Sequence, residues 1–72
     1  MHHILIFKTN IEQDFELNHV NDVFKNIESI INWNVDREDS DKVLRVESLK
    51  NNISEIISVL KNIGFFCEEL QG

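Results

Sequence analysis

The sequence predicts an α+β fold: a four-stranded antiparallel sheet with two helices on one face. Three observations predict it. Two segments carry apolar residues at helical spacing, around Leu17 to Ile27 and Ile53 to Ile63. Two adjacent segments, around Trp33 and Leu44, alternate apolar and polar with period two. Short apolar runs stand before the first helix and after the second. The order is therefore strand, helix, strand, strand, helix, strand.

Taken in order, residues 3–8 hold Ile4-Leu5-Ile6-Phe7 between polar ends, which predicts a buried central strand. Residues 9–16 are polar and acidic, interrupted only by Ile11 and Phe15, and predict a loop. The first helix follows, with Leu17, Val20, Val23, Phe24 and Ile27 on one stripe. Asp14 is its expected N-cap, and Glu16 suits the positive end of the helix dipole. Ile31, Trp33 and Val35 then form the apolar face of a strand whose other face is Asn32, Asn34 and Asp36. Residues 36–42 are charged and predict a hairpin loop. Residues 43–48 alternate again, Leu44 and Val46 against Arg45 and Glu47. The second helix carries Ile53, Ile56, Ile57, Leu60 and Ile63, with Asn52 and Glu55 as a capping box and Gly64 as the left-handed residue after its end. Residues 65–70 make the last strand. This order is the split βαβ, or ferredoxin-like, arrangement, and it makes residues 1–72 a single domain.

The charge balance of 13 acidic against 7 basic residues, net -6, argues against nucleic-acid binding, which needs a basic surface. A lone cysteine forms no internal disulfide. No apolar run nears the roughly 20 residues that span a bilayer, and no secretory signal opens the chain. A cytoplasmic protein without a membrane partner is expected.

The topology gathers the first loop, the hairpin and the Gly64 turn at one end of the sheet. The first loop carries Glu12, Asp14 and Glu16; the hairpin carries Asp36, Glu38, Asp39 and Asp41 against Arg37 and Lys42. Those two loops hold -5 of the net charge. A charge run of this kind keeps one end of a protein solvated, and it also suits the docking of a basic protein partner. Carboxylates suit a hard cation too, but residues 36–41 lack the glycine and the glutamate spacing of an EF-hand calcium loop.

Nearly the whole chain resembles the heavy-metal-associated domain of copper chaperones and metal-pumping ATPases. The likeness rests on the helix ending in Ile27, on Trp33-Asn34-Val35-Asp36 and on Lys42-Val43-Leu44-Arg45-Val46-Glu47. It continues in the helix Ile53 to Ile63 and in Ile63-Gly64-Phe65 followed by Glu68-Glu69-Leu70. Phe7-Lys8-Thr9-Asn10-Ile11 is similar to the strand leading into that family's metal loop. The resemblance implies a link to metal transport, with M-x-C-x-x-C in the first loop gripping a soft ion by two thiolates. Here the methionine position falls on Ile11 and the two cysteine positions on Gln13 and Glu16. Both thiolates are absent, so soft-metal binding does not carry over to these residues. A degenerate member kept as a protein-interaction or regulatory module is expected.

The alternative is a metal-binding or metal-transport accessory protein with other ligands. A histidine third from a free amino terminus binds Cu(II) or Ni(II) through the amine, backbone amides and imidazole, which makes His2 and His3 the candidate ligands; the acidic pole is the other. Cys67 reads as a small buried hydrophobe and His19 as a solvent-facing or capping side chain. If Lys8 pairs with Phe65, Cys67 lies near Ile6 and His3 near Leu70. No serine, cysteine or lysine sits in a nucleophile context and no glycine-rich phosphate loop is present, so no enzymatic activity is expected. Other domains of this topology sense small molecules as dimers. Here the first strand must leave either Ile4 and Ile6 or Leu5 and Phe7 uncovered, which fits a monomer or weak homodimer.

Overall fold

A computed structural model describes residues 2–70. Its elements are β1 (His3–Thr9), α1 (Asp14–Phe24), β2 (Ile30–Asp36), β3 (Val43–Ser48), α2 (Ile53–Asn62) and β4 (Cys67–Glu69). The strands form one antiparallel sheet in the order β2-β3-β1-β4. With its two helices this is an α+β fold. Among the described residues no helix is long and apolar enough to cross a membrane.

β1 is central, as its apolar run requires. Leu5, Phe7 and Thr9 are buried, so Ile4 and Ile6 are the pair left on the open face; Ile4 is 46% exposed. Leu44 and Val46 of β3 are fully buried beside them. Val20 and Phe24 from α1, Ile56 and Leu60 from α2, and Ile11, Phe65 and Cys67 complete a single core. Each fully buried aliphatic or aromatic side chain contributes roughly 1.5–3 kcal/mol. Trp33 closes the β2 edge of this core, meeting Phe24 edge-on with ring centres 5.5 Å apart.

Several boundaries differ from the sequence reading, each for a local reason. α1 is capped at Gln13 rather than Asp14, because the Glu16 carboxylate turns back to the backbone one residue earlier. It ends at Phe24 instead of Ile27, and Ile27 remains packed on the core through the following turn. Ile31 does not point inward: a bulge between Ile30 and Asn32 turns Ile30 toward the core and leaves Ile31 46% exposed. Asn52 precedes α2 but its side chain does not cap the helix. It bonds sideways to Ser29, Ser48 and Glu55.

Gly64 does hold the left-handed position, with φ 95°. Its N–H donates to the Lys61 carbonyl and that of Phe65 to the Leu60 carbonyl, the paired bonds of a Schellman turn. That turn also corrects the last register. β4 spans only Cys67–Glu69 and pairs Thr9 with Cys67, Lys8 with Glu68 and Phe7 with Glu69. Phe65 and Phe66 are spent on leaving the turn, where the Phe66 N–H is held by the Asn10 side chain. Cys67 therefore lies opposite Thr9 and not Ile6, and His3 does not meet Leu70, whose N–H donates to the Ile6 carbonyl.

Candidate functional site

The first loop, the hairpin after β2 and the start of β4 meet at one pole, and the sheet brings them there. Thr9, the last residue of β1, is the joint. Its backbone N–H donates to the Asp41 carbonyl at 3.0 Å, and its buried hydroxyl donates to the Lys42 carbonyl at 2.6 Å. The same oxygen accepts the Ile11 N–H at 3.2 Å. Ile11 is wholly buried, a plug beneath the loop. Asn10 ties the loop to β4 through the Phe66 N–H. Lys42, with φ 43°, ends the hairpin and sends its ammonium to the Arg37 carbonyl at 2.9 Å.

The carboxylates of the pole are largely engaged by their own chain. Asp14 accepts from Arg37 at 2.7 Å, and the same guanidinium reaches the Glu12 carbonyl at 3.1 Å. Glu12 stands 3.6 Å from Lys42, and Asp41 3.5 Å from Lys8. Asp36 and Asp39 accept backbone N–H groups within the hairpin, from Glu38 and Asp41. Lys8 reaches this pole from β1, where it lies opposite Glu68 of β4.

Gln13 and Glu16 form no donor pair. Gln13 is exposed at the helix cap. The Glu16 carboxylate accepts the N–H of Gln13 at 2.9 Å and of Glu12 at 3.0 Å, and these bonds hold its pKa below the ordinary glutamate value. Ligating a cation through that oxygen means giving up two hydrogen bonds at the positive end of a helix. Among the described residues, no three His, Cys, Asp or Glu side chains are grouped so as to hold a metal.

His2 and His3 lie at the other end of β1. His3 pairs with Ser48 across the sheet, and His2 Nδ1 is 2.6 Å from a Glu47 carboxylate oxygen. Both imidazoles are exposed. The amine that Cu(II) or Ni(II) coordination needs belongs to Met1, outside the described residues. His19 is exposed on α1 and meets the Phe65 ring edge-on at 6.2 Å. Cys67 is buried, and that burial pushes its thiol up to about 11 against an opposing pull from Lys61.

Two exposed aromatic residues belong to this pole. Phe15, between Asp14 and Glu16 on the first turn of α1, is 71% exposed, and Phe66 beside Asn10 is 44% exposed. Sequence reasoning noted Phe15 only as an interruption of a polar loop. Its signal was an aromatic residue off the Leu17–Val20–Phe24 stripe. A groove of about 160 Å³ between α1 and β2, lined by Phe24, Ile30, Ile31 and Trp33, is smaller than the roughly 300–1,000 Å³ of small-molecule sites. No protein-family model matches the chain, and no curated protein is similar to it.

Proposed function

We propose that the chain is a small non-enzymatic interaction module that docks a basic protein segment on its loop pole. The observation that carries this reading is Phe15: a large aromatic side chain left in water, flanked by carboxylates and held on the first turn of a capped helix. Aromatic anchors surrounded by a charged rim are where binding energy concentrates in protein interfaces. The acidic rim steers a cationic segment toward the anchor. The element order and the strand order support a ferredoxin-like arrangement. With the resemblance of Ile63-Gly64-Phe65 and its companion motifs, they support a degenerate heavy-metal-associated domain whose metal loop has become a protein-binding loop. The buried, poorly ionised Cys67 and the shallow groove beside β2 fit a chain without catalysis.

The test is a titration with a lysine- and arginine-rich peptide carrying aliphatic residues, followed through backbone amide shifts. The expected shifts fall in residues 10–16, 37–42 and 65–66, and Phe15→Ala weakens binding about tenfold or more, the size of an anchor residue. Shifts spread evenly over the open sheet face, or an affinity indifferent to Phe15→Ala, would falsify the reading.

A further inference from the structure

The Arg37 guanidinium sits in a seat that the first loop builds without it. One of its terminal nitrogens donates to the Asp14 carboxylate at 2.7 Å and to the Glu12 carbonyl at 3.1 Å. Both acceptors are fixed from the other side. The Glu12 and Gln13 N–H groups are held by the Glu16 carboxylate, and Asp14 opens α1. Ile11, wholly buried, anchors the loop just before them. The hairpin that brings Arg37 is held independently. The Arg37 carbonyl accepts from the Lys42 ammonium at 2.9 Å, and the Asp41 and Lys42 carbonyls accept from Thr9. The guanidinium can therefore leave while loop and hairpin keep their places. Leaving costs little, because the Asp14 side chain is 89% exposed and exposed ion pairs are weak.

We infer that Arg37 is the chain's own occupant of an arginine seat, and that an arginine of the docked segment takes its place. This rests on the docking proposed for the loop pole and names the residue that the partner brings there. Three features fit a guanidinium. A carboxylate and a backbone carbonyl lie within reach of a single nitrogen of that planar donor group. The exposed aromatic anchor, Phe15, is the residue next to Asp14, and a guanidinium stacks on aromatic faces and sheds water more readily than an ammonium. The acidic rim draws a cation to the place. Arg37 thus competes within the chain. The seat is open to a partner only for the fraction of time that Arg37 is away, and the apparent affinity falls by that fraction. For an exposed ion pair this is a factor of about two to six.

The affinity of Arg37→Gln for a peptide of alternating arginine and leucine tests this. Arg37→Gln binds about two- to sixfold tighter than the wild type. Lys25→Gln removes the same charge at the far end of α1 and gives no such gain. Asp14→Asn, added to Arg37→Gln, abolishes the gain. The same peptide with lysine for arginine gains less. In the wild type, the Arg37 side-chain N–H signals move toward those of a free arginine as the peptide is added. Unchanged or weaker binding by Arg37→Gln overturns the inference. So does an equal gain from Lys25→Gln, a gain that survives Asp14→Asn, equal gains for the two peptides, or Arg37 signals that stay in place. If Phe15→Ala still weakens the wild type in that case, docking at the pole stands and only the seat falls. If neither the wild type nor Arg37→Gln binds either peptide, both fall.

Discussion

At the loop pole exposed ion pairs surround the buried Thr9 joint. Arg37 meets Asp14, Lys42 approaches Glu12 and Lys8 approaches Asp41, all in contact with solvent. The opposite end carries an exposed His2–Glu47 contact and, deeper, a tie between neutral groups. Asn52 donates to the Ser29 hydroxyl at 2.9 Å and accepts from the Ser48 hydroxyl at 3.0 Å, and both serines are buried. The same sheet is thus tied at one end by contacts that water and salt weaken, and at the other by contacts they scarcely reach. The exposed ion pairs of this pole can be exchanged for a partner's charges at small cost, while the buried Thr9 joint stays closed. The Asn52 tie has no such freedom, because a buried hydroxyl without a partner is expensive.

The largest effect expected from breaking this contrast is at Asn52. Asn52→Ala removes the shared partner of two buried serines and costs about 1–3 kcal/mol in denaturant unfolding, with little dependence on salt. A loss that vanished in high salt would erase the distinction between the two ends.

Glu16→Gln comes next, at about 0.3–1 kcal/mol, the worth of a solvent-screened charge at a helix N-terminus. Its sign follows from the lowered pKa of the folded state. The carboxylate stabilises the fold fully above the ordinary glutamate value of about 4.3. That contribution fades as pH falls through the lowered value. Wild type and variant therefore differ in stability at pH 7 and converge in acid. A gap that widened in acid would contradict the cap.

The smallest effect belongs to Arg37→Ala, about 0.2–1 kcal/mol at low ionic strength, as for exposed pairs generally. It shrinks in 1 M salt, where the screening length is about 3 Å, and retains only what the bond to the Glu12 carbonyl provides. Equal losses at both salt concentrations would place the stabilisation in packing.

The sequence made much of this visible where one residue type answers one local demand. Gly64 marked the end of α2 because a left-handed residue was needed there. The alternation of Leu44 and Val46 with Arg45 and Glu47 located β3 and its buried face. What stayed hidden depended on side chains choosing among several partners. Asn52 stood where a helix cap belongs but is drawn to two serines that the fold brings together. Ile31 carried the right period, and a one-residue bulge turned Ile30 inward in its place. The register of β4 could not be read because Phe65 and Phe66, apolar like strand residues, serve the exit from a turn. At the loop pole the acids were legible and their pairing cations were only partly so, since Lys8 arrives from another element.

Cys67 gives the fold a clock. Its sulfur is sealed in the core opposite Thr9, on a strand of three residues attached to the sheet by a single neighbour. A thiol held at about 11 is almost entirely protonated at neutral pH and, being enclosed, is out of reach of reagents in the closed molecule. Reaction at this one sulfur therefore counts the moments when β4 lifts away from Thr9 and the core beneath it is uncovered.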